Sequence, residues 1–261
     1  MGNEIVELEL NQGKGWRGND LAFLAALPHL KSFRIIDFRI SSVEQIHSLH
    51  ELRALGVMTY CKTEIMFSAF PQLEECGLEW RSKATSLFDC GTLKKLFLNN
   101  YKGKDVAPFA RLTQLESLAI LNAPVENLHG LGNLQRLRFL RLANLRRLNS
   151  LAGIEGLTNL EELQIDTCRA ISSIHEIGSL ARLKRLYLDN GGKVDSLKPL
   201  DKLNSLEKVG FVESTNIADG DLSPLVRQNN LSQVSFQNRR HYSHRREDFG
   251  VAYSQKTYVS Q

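Results

Sequence analysis

The sequence predicts an α/β solenoid, in which short parallel strands alternate with short helical turns along the chain. Two observations predict it: an apolar pattern of the form L-x-x-L-x-L recurs eleven times, and the apolar residues that follow it are often spaced by three. The 33 pattern positions are all apolar, and successive repeats start 20 to 25 residues apart. A single repeat of this length cannot bury its own apolar face, so neighbouring repeats must stack. The repeats begin at Ile5, Leu30, Leu52, Leu73, Leu93, Leu115, Leu137, Leu160, Leu183, Leu206 and Leu231.

Each repeat supplies one strand and one turn. Because side chains alternate along a strand, positions 4 and 6 of the pattern face the core and positions 3, 5 and 7 face solvent. The spacing of three that follows, as in Val125, Leu128, Leu131 and Leu134, favours 3₁₀ turns over a long α-helix. We therefore expect a curved parallel sheet of about eleven strands on the concave face, with mostly 3₁₀ or short helical turns on the convex face.

The first repeat, residues 4–29, differs from the others. Asn19 or Asp20 precedes an apolar run over residues 21–27, and Pro28 follows it. A capping side chain at the start and a proline at the end are typical of a helix. We expect this short helix to cap the N-terminal end of the solenoid.

The last residues leave the repeat pattern. We assign residues 1–238 to the solenoid and residues 239–261 to a C-terminal cap or basic tail, because terminal repeats need an atypical cover for the core. Phe249, Val251 and Tyr253 stand at alternate positions, and Tyr258 and Val259 follow a polar stretch, which favours a short hairpin in this segment.

On these repeats the chain resembles the leucine-rich repeat family over about residues 4–238. Its short repeats and three-spaced turns are similar to the 22-residue class of cytosolic phosphatase regulators and internalins. The resemblance implies a non-catalytic protein-binding module, with the partner on the concave strand face. The family usually has Asn or Cys at position 9, where the side chain satisfies backbone groups at the bend, and here only Cys168 fits.

Outward strand positions in the middle of the chain carry the residue types that dominate protein interfaces. Phe, Tyr and Arg are enriched at interface hot spots, and they gather here within a few consecutive strands. Scattered surface hydrophobics are the alternative explanation. The predicted partner-binding residues are Phe97, Leu121, Phe139, Arg141, Gln164, Asp166, Arg185, Tyr187 and Asp189.

Composition narrows the class of protein. The chain has 261 residues, 42% hydrophobic and 24% charged, with a net charge of +4, which matches an ordinary globular protein. No apolar run approaches the roughly 18–20 residues that cross a bilayer, so we expect no membrane partner. The four cysteines form no C-x-x-C pair, which favours reduced thiols and a cytoplasmic location. We also expect the chain to be a monomer.

A basic stretch near the C-terminus leaves a second binding hypothesis open. Arg239, Arg240, Arg245 and Arg246 form a secondary basic patch that could contact an acidic protein or the phosphates of a nucleic acid. The outward strand positions themselves carry seven acids and five bases, so a nucleic acid is the less favoured partner. A charge run is more often a solvated face.

Other motifs compete with the repeat interpretation but do not displace it. Residues 13–18 spell G-x-G-x-x-G and Asp37 follows at the spacing of a dinucleotide fingerprint, although glycines in a wide turn explain the pattern equally well. His241 and His244 resemble half a metal site without further ligands. No nucleophile and base pair stands out. We therefore expect no cofactor, no metal and no enzyme activity. The expected role is that of a regulatory or inhibitory subunit, and the alternative is a bacterial immunity protein that neutralises a toxin.

Overall fold

A computed structural model describes residues 5–250. Contacts divide the chain into two compact units, which are described separately below. Among the described residues, the N-terminal unit comprises 5–102 and 111–120, and the C-terminal unit comprises 103–110 and 121–250.

Thirteen strands occur among the described residues. Eleven of them are the strands of the repeats, and two of only two residues each pair with one another. The strands are β1 (Glu7–Asn11), β2 (Ser32–Ile36), β3 (Ala54–Met58), β4 (Glu75–Glu79), β5 (Lys95–Asn99), β6 (Ser117–Leu121), β7 (Phe139–Ala143), β8 (Glu162–Asp166), β9 (Arg185–Asp189), β10 (Lys193–Val194), β11 (Lys208–Phe211), β12 (Asn216–Ile217) and β13 (Gln233–Phe236).

Within each unit the repeat strands are parallel and follow chain order. In the N-terminal unit β1 to β5 pair in sequence, with Leu8 opposite Phe33 and Cys76 opposite Leu96. In the C-terminal unit the order is β7, β8, β9, β11 and β13. The register places the same pattern position of adjacent repeats side by side, so the fold class that the sequence predicts is confirmed. The pair β10 and β12 was not foreseen.

The turns between strands are mostly 3₁₀, as the spacing of three predicts. The 3₁₀ helices are Gln12–Lys14, Ala22–Ala26, Glu44–Ser48, Phe67–Ala69, Ser82–Asp89, Ala107–Arg111, Leu131–Asn133, His175–Ser179, Lys198–Lys202 and Arg246–Phe249, and the one α-helix of the described chain is Ser223–Val226. The apolar run of the first repeat thus forms a 3₁₀ helix, Ala22–Ala26, and Asp20 accepts a hydrogen bond from the Ala22 N–H at 3.0 Å.

The pattern positions form the core. Of the 33 apolar positions, all but Ile5, Leu8 and Leu231 are buried, and these three lie in the first and last repeats. The three-spaced turn residues are buried as well, for example Val125 and Leu128 at 0% exposure. Burial of these side chains supplies the main driving force for stacking.

The bends after the strands use a device that the sequence did not reveal. From the fifth repeat to the tenth, position 8 adopts the left-handed conformation, which Asn tolerates better than most non-glycine residues. Asn190 (φ 50°) is one such residue: its Nδ2 donates to Thr167 Oγ1 at 3.1 Å, and its Oδ1 accepts from Arg169 and Ser214 at 2.9 and 2.8 Å. Side-chain hydrogen bonds between neighbouring repeats therefore support this bend at position 8. Since only Cys168 fits at position 9, the bends were expected to satisfy their backbone groups in another way, but the sequence did not point to position 8. The left-handed residues are Asn100, Asn122, Asn144, Thr167, Asn190 and Glu213.

Residues 239–250 pack on the end of the C-terminal unit. The Tyr242 ring meets the Phe236 ring edge-on at 5.9 Å, and the Tyr242 hydroxyl accepts from the Ile217 N–H at 3.0 Å. Phe249 contacts Phe236 from another side at 5.8 Å. These contacts cover the last strand. The division after residue 238 stays a prediction, and the expected hairpin, which needs Val251 and Tyr253, lies outside the described residues.

Candidate partner-binding surface

The register of the C-terminal unit arranges the outward side chains of β7, β8, β9 and β11 in rows that run across the strands. Position 3 gives the row Phe139, Glu162, Arg185 and Lys208. Position 5 gives Arg141, Gln164, Tyr187 and Gly210, and position 7 gives Ala143, Asp166 and Asp189. We call this set of side chains the C-terminal strand surface.

The structure brings most of the predicted binding residues together on this surface. Six of them lie half-buried in adjacent rows, so each keeps part of its side chain in solvent. The six are Phe139, Arg141, Gln164, Asp166, Arg185 and Tyr187.

The remaining three predicted residues are placed differently. Leu121 ends β6 and is half-buried, and the next residue, Asn122, donates its N–H to the Ala143 carbonyl on β7 at 3.0 Å. Phe97 is half-buried on β5 and belongs to the N-terminal unit. Asp189 is 2% exposed and its Oδ1 lies 3.4 Å from the Val212 N–H, so its role is internal and it offers a partner little surface.

Glu162 is the residue that sequence reasoning missed at the centre of the surface. Its Oε2 accepts from Arg185 Nε at 2.5 Å, and its Oε1 accepts from Gln164 Nε2 at 2.5 Å. Burial opposes the protonated state of Arg185, but the hydrogen bond and charge of Glu162 outweigh it and raise the pKa of the guanidinium. Only its place at position 3, between Phe139 and Arg185, could have pointed to it in the sequence. Glu162 fixes two side chains of neighbouring rows, which lowers the entropy that docking would cost.

The ring of Tyr187 lies next to Gly210 of the neighbouring strand. A Cβ built on Gly210 would stand 2.9 Å from Tyr187 Cδ1, so the ring occupies the space that a side chain there would need. Burial, and then the charge of Glu162, raise the pKa of the Tyr187 hydroxyl. The absence of a side chain at Gly210 therefore lets the ring approach the sheet, while Tyr187 stays half-buried.

The N-terminal unit carries a smaller apolar feature that was also missed. Phe38 and Tyr60 are 43% and 67% exposed, and their rings contact each other with centroids 4.6 Å apart. Both occupy position 9, which sequence reasoning considered only for its role in the bend. Exposed aromatic pairs are uncommon on a monomer surface, and this pair serves below as a matched control.

Two of the four arginines of the secondary basic patch form contacts within the chain. Arg239 Nη2 donates to the Thr215 carbonyl at 3.1 Å, and Arg246 pairs with Glu247 at 3.1 Å. Arg240 and Arg245 are exposed. An arginine that already donates to a backbone carbonyl has fewer donors left for a phosphate.

The two minor motifs have structural roles. The Trp16 ring fills the space at Gly18, where a Cβ would stand 2.2 Å from Cζ2, and Asp37 is 1% exposed and accepts from the Arg39 N–H at 2.9 Å. The buried carboxylate of Asp37 is therefore not accessible to a ribose. His241 Nε2 lies 3.0 Å from the Ile217 carbonyl. Residues 5–250 contain no cluster of three metal-ligating side chains, and none of their helices is long and apolar enough to cross a bilayer.

The geometry is that of leucine-rich repeat proteins, and the comparison with solved structures agrees. An internalin from Listeria monocytogenes matches with a TM-score of 0.64 and 18% identity over 92% of this chain and 77% of the internalin. The Arabidopsis receptor kinase HAESA, solved in complex with the peptide hormone IDA and the co-receptor SERK1, matches with a TM-score of 0.61 and 16% identity over 90% of this chain. This chain spans 46% of that receptor chain.

A leucine-rich repeat protein from Leptospira interrogans matches with a TM-score of 0.56 and 16% identity over 85% of this chain and 65% of the other. No protein-family model and no curated protein matches the sequence. At these identities the likeness shows the fold: the chain has the leucine-rich repeat fold. The 22-residue class stays a prediction.

Proposed function

We propose that the chain is a non-catalytic module that binds a protein partner on the C-terminal strand surface. The observation that carries the proposal is that Phe139, Arg141 and Tyr187 lie half-exposed in two adjacent rows across the parallel strands β7 to β9. Glu162 holds Arg185 in the same surface, and Gly210 leaves room for the Tyr187 ring. Aromatic and arginine side chains on a stiff support lose little entropy on docking. The internalin and HAESA structures share this fold, and HAESA was solved bound to a peptide hormone and a co-receptor.

The charges of the surface favour a protein partner over a nucleic acid. Glu162 and Asp166 lie among Arg141, Arg185 and Lys208, and Arg185 is already paired with Glu162 at 2.5 Å. A groove for nucleic acid needs bases that remain available to phosphates. A mixed surface fits a partner of mixed charge, so we propose that binding tolerates moderate salt.

We propose a regulatory or inhibitory role in the cytoplasm, with the chain acting as a monomer. In support, all four cysteines are free thiols and three of them, Cys76, Cys90 and Cys168, are buried, as expected for a chain that works in a reducing compartment. Binding alone suffices for such a role, because a bound module can block or position the surface it covers.

Affinity capture with two double variants tests the proposal. Phe139→Ala with Tyr187→Ala removes the aromatic side chains of the C-terminal strand surface. Phe38→Ala with Tyr60→Ala removes the same chemistry from the N-terminal unit. We expect the first variant to fold, by circular dichroism, and to lose a partner that the wild type and the second variant both retain. Equal capture by all three would reject this surface, and loss only in the second variant would move the site to the N-terminal unit.

A further inference from the structure

Cys61 lies in a polar setting unlike that of the other three cysteines. It follows β3 and is half-buried, whereas Cys76, Cys90 and Cys168 are buried. Its Sγ lies 3.2 Å from Thr59 Oγ1 and 3.3 Å from Arg81 Nη1. The thiol therefore has a hydroxyl and a cation as neighbours.

Arg81 is a buried cation without a carboxylate. It is 7% exposed, and no Asp or Glu among residues 5–250 forms an ion pair with it. Its hydrogen bonds go to Cys61 Sγ and to the carbonyl and hydroxyl of Thr59, while its buried Nε has no hydrogen-bond partner. A buried charge is costly unless it is paired, and the sulfur of Cys61 is the one group in contact with this guanidinium that can become an anion.

The four thiols respond to their settings in opposite directions. Burial opposes ionisation of Cys61, but the Thr59 and Thr63 hydroxyls and then the charge of Arg81 outweigh it, and the pKa of this thiol is lowered. Burial raises the pKa of Cys76 and Cys90, and it raises that of Cys168 to about 11. Arg81 is the one charged group among the causes that lower the pKa of Cys61, and it acts together with the Thr59 and Thr63 hydroxyls.

We infer that Cys61, hydrogen-bonded to Arg81, is the reactive thiol of the chain and the site at which it is modified by hydroperoxides and other small electrophiles. A thiolate is the nucleophilic form of cysteine, and a neighbouring arginine together with solvent access defines a reactive site. The inference concerns a different place from the C-terminal strand surface and does not depend on the proposed partner.

The reaction with a hydroperoxide balances without further reagents. The sulfur attacks the terminal oxygen of the peroxide, an S–O bond forms as the O–O bond breaks, and the terminal proton stays on the new sulfenic acid. The leaving hydroxide or alkoxide takes up the proton that the thiol released on ionising. Sulfur gives up two electrons and the peroxide accepts them. Arg81, still beside the sulfur, can donate to the oxygen that has been added.

Iodoacetamide alkylation of the full chain, with peptide mapping over a range of pH, tests the inference. In the folded protein at pH 7 we expect Cys61 to react at least about tenfold faster than Cys90. The pH midpoint of the Cys61 rate should lie below that of the same cysteine in the chain unfolded in guanidinium chloride. A folded midpoint at or above the unfolded one overturns the inference, and this comparison needs no variant.

Variants and peroxide separate the role of Arg81 from packing. Arg81→Met should raise the midpoint of Cys61, Arg81→Lys should restore part of the difference, and Arg53→Met, an exposed arginine of the same unit, should leave the midpoint unchanged. Hydrogen peroxide followed by dimedone should give an adduct on Cys61 alone. Adducts spread over the four cysteines, or none on Cys61, would contradict the proposal.

Discussion

The ring of Tyr187 lies over Gly210 on the neighbouring strand, at a distance that leaves no room for a Cβ. The pair joins two features that a sequence shows separately, an aromatic at position 5 of one repeat and a glycine at the same position of the next. The consequence is a phenol ring that approaches the sheet at Gly210 and stays half-buried within the C-terminal strand surface.

Gly210→Ala should displace the Tyr187 ring without unfolding the chain. The new Cβ would stand 2.9 Å from Cδ1, and a side chain can move where a backbone could not. We expect a stability change within about 1 kcal/mol in urea unfolding and weaker partner capture. Gly77→Ala is the matched control, since it occupies position 5 of the fourth repeat and a Cβ there would meet no atom within 4 Å. Equal capture by both variants would show that the ring position is unimportant.

Tyr187→Phe should change the alkaline stability of the protein. The pKa of Tyr187 is raised in the folded state, so the unfolded state loses its proton first as pH rises. Its contribution is fully present below the unfolded pKa of about 10 and is lost as pH rises through the folded pKa. We expect the free energy of unfolding to fall less steeply above pH 10 in Tyr187→Phe than in the wild type. Parallel curves would show that burial does not perturb this hydroxyl.

Leu163→Ala should destabilise the chain strongly. Leu163 occupies position 4 of its repeat and is 0% exposed, so the change leaves a cavity in the stacked core. The expected cost is about 2–5 kcal/mol in urea unfolding. Gln164→Ala, one residue further on the outward face, should cost less than about 1 kcal/mol, although it removes a hydrogen bond to Glu162. Similar costs at the two positions would contradict the alternation of inward and outward residues.

Asn190 should be harder to replace by Ala than by Gly. Both variants lose the hydrogen bonds to Thr167, Arg169 and Ser214, but only Ala also has to adopt the left-handed conformation at φ 50°. We expect Asn190→Gly to be more stable than Asn190→Ala by about 1 kcal/mol. Thermal and urea unfolding of the two variants measure the difference, and the reverse order would remove backbone conformation as the explanation.

The sequence was sufficient for the fold because the repeat imposes one local rule eleven times. A strand with core residues at positions 4 and 6 is specified within six residues, and stacking follows from the need to bury them. The residues that support the bends could not be predicted from position 9. The left-handed Asn residues stand one place earlier, and their hydrogen bonds join neighbouring repeats. A pattern within one repeat does not show which side chains meet across two.

The candidate site was predictable in composition but not in detail. Phe139, Arg141 and Tyr187 follow from outward strand positions, whereas the burial of Asp189 depends on a contact with Val212 in the next repeat. Cys61 and Arg81 are 20 residues apart, and their contact requires knowing that position 9 of one repeat turns toward the bend of the one before. The sequence alone does not show which residues of different repeats are in contact.

Photocrosslinking from position 187 tests the binding account most directly. Replacing Tyr187 by benzoylphenylalanine keeps an aromatic side chain on the C-terminal strand surface and forms a covalent bond only with a molecule that touches it. The account predicts one protein adduct from position 187 and none from the same replacement of Tyr60, which is 67% exposed in the N-terminal unit. An adduct from position 60 with none from position 187 would contradict it.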